Sequence, residues 1–324
     1  MRLVMMGTGP FAVPTLSGLY ETPHTVVALV TGPIRGRPPL ACTPIRQVAL
    51  QHGTPIFDPE EINSDAARRE LGRYAADLFV VCDYGQILAA ETLAAARHGG
   101  INLHASLLPK YRGAAPINWA LYHGDTETGV TVIHMTPKVD AGPCVAQARV
   151  EIRPDETAPE LEARLAEAGD WLVRRTLELF ESGRLEVLPQ DPALASRAPR
   201  LKKTDGLIDW RRPAAAVKNQ IRAMEPWPKS YTFLYRRDGG PGLRLLVGPV
   251  QALENPNSDD IPPGTVLEAA ADRLRVAAGQ GSVLLRTVQP AGKRVLSAAE
   301  FLRGYRVQPG DVMKGEEGGG KAED

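Results

Sequence analysis

A chain of 324 residues, 43% hydrophobic and 23% charged, is long enough for two ordinary domains and is composed like a soluble globular protein, neither disordered nor membrane-embedded. Its three cysteines, Cys42, Cys82 and Cys144, are odd in number and far apart, which argues against a disulfide framework or a CxxC metal pair and for a reducing cytoplasm. The formal charge of zero hides an asymmetry: residues 1–199 carry −5, residues 200–313 carry +7 and residues 314–324 carry −2. The basic second half suits a polyanionic partner, and equally a solvated basic face.

The opening, MRLVMMGTGPFAV, has the Arg and apolar run of a signal segment. Gly7, Gly9 and Pro10 interrupt it after five residues, so it reads as a first buried strand. No run approaches the ~20 apolar residues of a membrane span. RLVMM is followed by a helix (VPTLSGLYE) and a second strand (TVVALVT). PIRQVALQHG reads as a helix with Val48, Ala49 and Leu50 facing inward, TPIF as a short strand, AARRELGRYA as an amphipathic helix and ADLFVVC as a fully buried strand. Apolar runs alternating with helices indicate an α/β fold with parallel strands covered on both faces. GINLHA, GVTVIHM and VAQARVEI extend that sheet, and residues 156–181 form a long helix with Leu161, Leu165, Ala168, Leu172 and Leu179 on its apolar face.

A Pro-rich polar stretch, LPQDPALASRAPRLKKTDG, then reads as a linker. Beyond it lie a short helix (AAAVKNQIRAM) and the strand candidates SYTFLY, LRLLVGPVQAL, GTVLEAA, RLRVAA and SVLLRTVQ, whose Gly/Pro punctuation suggests a small β-barrel. The expected division is a domain over 1–188, a linker over 189–205, a second domain over 206–313 and a low-complexity tail over 314–324 that ends GEEGGGKAED and is expected to be disordered.

Gly7-Thr8-Gly9-Pro10-Phe11-Ala12 matches the GxGxxA dinucleotide fingerprint after a strand. The second strand, however, ends without an acidic residue for a ribose hydroxyl, and Pro10 removes an N–H where phosphate would sit, so a tight strand-to-helix turn is the better reading. None of the six histidines pairs at HxxxH spacing, which argues against a catalytic metal, and no GxSxG elbow supports a hydrolase triad. Two segments remain. In INLHASLLPKYRGAAPINWAL, Asn102 and His104 are two apart on a strand and face the same way. In GVTVIHMTPKVDAGP, Asp140 follows a neighbouring strand, and Gly142 permits close backbone approach. Singly, these residues are as well read as a turn Asn, an interior imidazole and a helix cap. Together at adjacent strand ends they suit acyl transfer to an amine, with amide and imidazolium donors for an oxyanion and a carboxylate to orient the ring and help move protons.

These segments resemble the folate-dependent formyltransferases. The similarity is carried by residues 101–121, GDTETGVTVIHM (124–135), VDAGP (139–143), IDW with RAMEPWP (208–228), PGTVLE (263–268) and VQPAGKRVLSAAEFL (288–302), and it spans nearly the whole chain. The resemblance implies a Rossmann-like N-terminal formyltransferase domain with a mostly parallel sheet and a C-terminal OB-like β-barrel. It implies Asn102, His104 and Asp140 as catalytic residues, acting by direct transfer without an acyl-enzyme. It also implies 10-formyltetrahydrofolate as co-substrate without a metal, set against Ser106, Leu107, Leu108 and Pro109 and near Tyr84 and Gly85. The implied acceptor is initiator methionyl-tRNA, met by a monomer in the cytoplasm, with Arg35, Arg37, Arg46, Lys202, Lys203 and Arg222 as candidate phosphate contacts.

Two departures stand out. The loop over residues 32–47 holds Arg35, Arg37 and Arg46 but no lysine, and is shorter than the resemblance predicts. Asp83 replaces a small residue beside Tyr84. The competing expectation is a formyltransferase for a nucleotide-linked amino sugar. Ala114–Ile117, the VQPAGK segment and the basic second half favour the tRNA reading. A silent RNA-binding scaffold is disfavoured by the intact trio, and a formate-releasing hydrolase has no use for a basic second domain.

Overall fold

The computed structural model describes residues 1–33, 43–254 and 261–315. They form two compact units. The first comprises residues 1–117, 126–153 and 160–200; the second takes residues 118–125, 154–159 and the chain from Leu201 onward.

In the first unit the buried run Leu3–Met6 makes β1 (Arg2–Gly7), and α1 (Val13–Tyr20) leads to β2 (Thr25–Val30). There follow α2 (Pro44–Gln51), β3 (Ile56–Phe57), α3 (Asp65–Arg73), β4 (Leu78–Cys82), α4 (Ala90–Leu93) and β5 (Gly100–His104). These five strands pair in parallel. β6 (Arg112–Gly113) and α5 (Pro116–His123) come next. β7 (Glu127–His134) and β8 (Cys144–Glu151) then complete a seven-stranded sheet in the order β3-β2-β1-β4-β5-β7-β8. The sheet is Rossmann-like and mostly parallel, as expected. β4 is buried at every position, because residues on both faces of a covered sheet lose their water.

The structure departs from the sequence reading at three places. In α2 it is Ile45 and Ala49, one turn apart, that pack inward, while Leu50 is 62% exposed. β7 runs antiparallel to β5, with Ile101 opposite His134 and His104 opposite Thr131. The chain after β7 therefore leaves from the edge where β5 begins, not from the carboxyl edge. The expected linker is also no free connector as far as Arg200. Leu188 and Cys144 exchange both backbone hydrogen bonds, and β9 (Arg197–Ala198) pairs in parallel with β6. Polar, proline-rich composition looks the same whether backbone groups meet water or a neighbouring strand.

α6 (Ala158–Glu181) precedes β9 in the chain. The second unit then holds α7 (Ala214–Ala223), β10 (Ser230–Tyr235), β11 (Leu243–Val247), β12 (Val250–Leu253), β13 (Val266–Ala270), β14 (Arg273–Ala277), β15 (Ser282–Leu285), β16 (Thr287–Pro290), β17 (Leu296–Ser297), α8 (Ala298–Gly304) and β18 (Val312–Lys314). Its named strands pair with one another antiparallel, in sheets ordered β17-β16-β11-β10-β18 and β12-β15-β14-β13. Two expected strands each break into a pair, at Gly248-Pro249 and at Arg286, so that one chain segment serves both sheets. The Gly248 and Arg286 N–H groups bond to the Thr287 and Pro249 carbonyls across the bend. Hydrogen bonds from Val266 to Asp311 and from Met313 to Gly264 link the sheets again at β18. Trp210, Val217, Ile221, Leu245, Leu274 and Phe301 fill the interior, and the indole N–H of Trp210 donates to Thr232 Oγ1. Lys314, expected in the tail, is the last residue of β18, while residues 316–324 lie outside the described residues.

Candidate active site

Asn102 and His104 project from one side of β5 toward Asp140, which stands in the nine-residue turn 135–143 between β7 and β8. Because β7 is antiparallel, this turn must fold back over the sheet to reach them. Two features permit it. A Cβ on Gly142 would stand 1.9 Å from the His134 carbonyl oxygen, so only glycine fits the return. Asp140 itself takes a left-handed backbone, φ +48°, which short polar side chains tolerate better than most.

His104 Nε2 lies 2.8 Å from the Tyr111 carbonyl oxygen. A carbonyl only accepts, so Nε2 carries a hydrogen and Nδ1 is the nitrogen left for chemistry. Nδ1 faces Asp140 Oδ2 at 3.7 Å. The same carboxylate accepts from the Gly113 N–H at 2.9 Å through Oδ2, and from the Asn102 amide at 3.5 Å through Oδ1. The side chains of His104 and Asp140 are 7% and 14% exposed, which keeps their electrostatics weakly screened. A cavity of about 540 Å³, lined by Arg112, Gly113, Val139, Ser196 and Arg197, adjoins the Gly113 side of the carboxylate.

The expected folate-wall residues divide. Tyr84 and Gly85 follow β4, the strand beside β5. Tyr84 is buried, and loss of water pushes its phenol up to about 12. Its hydroxyl has no hydrogen-bond partner among the described residues, an orphan that a ligand polar group would satisfy. Ser106 is fully buried and donates to the Lys110 carbonyl. Leu108 is buried too. Its N–H donates to Thr131 Oγ1, and its carbonyl accepts from the Gln147 amide. Only Leu107 and Pro109 of this group are half-exposed, and Leu107 packs on Gly129 of β7.

The GxGxxA turn is occupied by the protein's own acids. Glu162 of α6 accepts a hydrogen bond from the Phe11 N–H, the kind of donor a phosphate would use at this turn. A Cβ on Gly9 would stand 1.8 Å from Asp83 Oδ2, so Gly9 makes room for the acid that the sequence left unexplained. Asp83 has φ +49°. Its carboxyl is open to solvent at one side yet surrounded by protein mass, and the lost hydration raises its pKa. Burial, and then Asp83, raise Glu162 likewise.

Of the candidate phosphate contacts, Lys202 and Lys203 are exposed, whereas Arg35 and Arg37 lie outside the described residues. Arg46 and Arg222 are turned inward, 7% and 8% exposed. Arg46 donates to the Gly32 carbonyl and to Asp58; Arg222 donates to Asn219 and to the Glu156 carbonyl. Guanidinium groups held this way are turned from solvent, which a charge count does not reveal. Among the described residues no group of three or more His, Cys, Asp or Glu is placed to hold a metal ion.

The Formyl transferase family model matches residues 1–177, and the model of the formyl transferase C-terminal domain matches residues 200–306. The methionyl-tRNA formyltransferase of Rhodopirellula baltica is 42% identical over 97% of this chain and 96% of its own length, and that of Geobacter sulfurreducens is 41% identical over 98% of each. The chain belongs to the methionyl-tRNA formyltransferase family. Solved structures share the fold at lower identity. HypX from Aquifex aeolicus in complex with tetrahydrofolic acid superposes with a TM-score of 0.62 at 17% identity, over 93% of this chain and 46% of that one. The sugar 3N-formyl transferase WlaRD superposes at 0.64 with 16% identity, over 91% and 99%. The chain is thus an enzyme of the formyl transferase class, and its two matched regions correspond to the parallel and the antiparallel units.

Proposed function

We propose that this enzyme transfers the formyl group of 10-formyltetrahydrofolate to the α-amino group of methionine carried by initiator tRNA, supporting translation initiation. The observation that carries the reading is the meeting of Asn102, His104 and Asp140, in a chain that matches its tRNA-formylating relatives end to end. The amine attacks the formyl carbon, and the carbonyl oxygen becomes an oxyanion that the Asn102 amide and a proton on His104 Nδ1 stabilise. The bond from formyl carbon to folate nitrogen then breaks, and the proton released by the amine passes by way of the Asp140 carboxylate to that nitrogen, while His104 keeps its proton on the oxyanion. Burial raises the thiols of Cys82 and Cys144, leaving them poor nucleophiles and supporting direct transfer without an acyl-enzyme.

The folate is assigned to the crevice after β4 and β5, with Tyr84, Gly85, Leu107 and Pro109 as its walls and with Ser106 and Leu108 contributing through backbone. The unpartnered Tyr84 hydroxyl supports this placement. The second unit is read as an OB-like barrel on the bent strands that serve both its sheets, and Lys202 and Lys203 as part of the face that meets tRNA phosphates. The enzyme is read as a cytoplasmic monomer; no helix among the described residues is long and apolar enough to cross a membrane. The test is to supply 10-formyltetrahydrofolate with methionyl initiator tRNA, with a nucleotide-linked amino sugar, or with water alone. Transfer to the tRNA is expected, and transfer only to the sugar overturns the reading.

A further inference from the structure

One side chain outside the trio joins both backbone segments that meet at Asp140. Gln190 lies in the stretch 188–200 of the first unit, which is hydrogen-bonded on both sides of it to neighbouring segments of that unit. Leu188 pairs with Cys144 on one side, while Ser196 bonds through its backbone to Arg112 and Pro109 and through its hydroxyl to the Tyr111 N–H. Between these anchors the Gln190 amide uses its full capacity of two donors and two acceptor sites. Its Nε2 donates to the Asp140 carbonyl at 2.8 Å and to the Gly142 carbonyl at 2.7 Å. Its Oε1 accepts from Arg112 Nε at 3.0 Å and Nη2 at 2.7 Å. Arg112 in turn precedes Gly113, whose N–H holds the Asp140 carboxylate.

We propose that Gln190 is a positioning residue of the formyl-transfer site: it fixes the Asp140 turn and the Arg112-Gly113 segment to each other, and so sets the carboxylate against His104. The need for such a clamp follows from the backbone. Asp140 holds a left-handed conformation in a nine-residue turn, and unfavourable backbone states persist only where surrounding contacts over-determine them. Asn102 and His104 stand on a strand paired on both sides, whereas Asp140 has no ladder of its own. Gln190 and the Gly113 N–H grip it from opposite ends, one by the main-chain carbonyl and the other by the carboxylate. An amide at 190 is the group that meets two carbonyls and a guanidinium at once. A carboxylate keeps the guanidinium but turns lone pairs toward both carbonyls.

This inference rests on the functional reading above, and its test separates the two. Wild-type, Gln190→Glu and Gln190→Leu are assayed with 10-formyltetrahydrofolate and methionyl initiator tRNA; failure of the wild type to formylate the tRNA counts against the functional reading alone. Gln190→Glu retains the Arg112 pair, so it keeps the 188–200 stretch anchored if Gln190→Leu does not fold. Both variants are expected to lose on the order of 10²-fold in kcat, with KM for the folate little changed, as a misplaced group without lost binding requires. The same substitutions in an Asp140→Asn background should add little, because Gln190 acts through Asp140. Independently of activity, ¹⁵N-histidine spectra should show the His104 ring signals moved in Gln190→Glu. Wild-type kcat in Gln190→Glu, full additivity with Asp140→Asn, or unmoved His104 signals each overturns the proposal.

Discussion

Replacing Asp140 by Asn keeps its size and removes one charge and one acceptor. The carboxylate accepts from both the Gly113 N–H and the Asn102 amide. An Asn oxygen satisfies only one of them, and the 2.9 Å bond to Gly113 is the better made. The new amide NH₂ then faces the Asn102 NH₂, donor against donor, which is relieved by Asn102 turning its oxygen toward position 140. That rotation changes what Asn102 presents, and its donor is lost from the place where the oxyanion forms. The charge matters as well. Unit charges about 4 Å apart interact by roughly 4 kcal/mol at an effective dielectric of 20, and the 3.7 Å separation between two mostly buried groups places His104 and Asp140 in that regime. A loss of about 4 kcal/mol in the transition state is ~10³ in rate. Single-turnover formylation of methionyl-tRNA at saturating folate reads the step directly, with thermal melting to check the fold. A folded Asp140→Asn enzyme within tenfold of wild type would refute the role given to the carboxylate.

Asn102→Ala removes an oxyanion donor and should lower kcat by ~10²–10³; wild-type formylation by the purified variant would remove Asn102 from the mechanism. Asp83→Asn should raise Tm by roughly 1–3 °C at neutral pH, a small effect because solvent reaches the carboxyl. Asp83 holds its proton more tightly in the fold than in the unfolded chain, so wild-type stability falls as pH rises from 3.8 through the raised pKa. The gain is therefore full above that pKa and fades below 3.8, whereas a gain from easier left-handed backbone alone would not change with pH. The double variant Lys202→Ala/Lys203→Ala should weaken tRNA binding and flatten the slope of log K against log salt by ~2. An unchanged slope would place these lysines away from the phosphates.

What the sequence carried well was whatever depends on local pattern. Period-two spacing put Asn102 and His104 on one face, and apolar runs located β1, β2, β4 and β5. The antiparallel course of β7 was not legible, since the apolar run GVTVIHM reads the same in either direction, and so the route of Asp140 to the site was missed. α8 and β18 also escaped, although Ser297-Ala-Ala-Glu300 is a capping box in the letters themselves: Ser297 Oγ accepts the Glu300 N–H, and the Glu300 carboxylate accepts the Ser297 N–H. That Arg46 and Arg222 are turned inward was not legible, because a guanidinium bonded within the fold has the same symbol as one in water. Gln190 had no signal, for a lone glutamine in a polar stretch is ordinary until its four hydrogen bonds are seen.

The turn at the start of the chain shows how one missing side chain and one added charge belong together. Gly9 lacks the Cβ that would strike Asp83, and Asp83 supplies an acid beside the residues assigned to the folate. Glu162 already uses the Phe11 N–H at the same turn, so an incoming anion meets two carboxylates where the fingerprint alone offers free amides. Like charges repel a phosphate, and the N–H that Pro10 lacks removes a donor as well. Both features count against a dinucleotide at this turn, and its first glycine has a geometric reason of its own: a Cβ on Gly7 would strike Ala12 at 2.7 Å and the Cys82 carbonyl at 2.9 Å, so the close passage of β1 into the helical turn itself requires glycine.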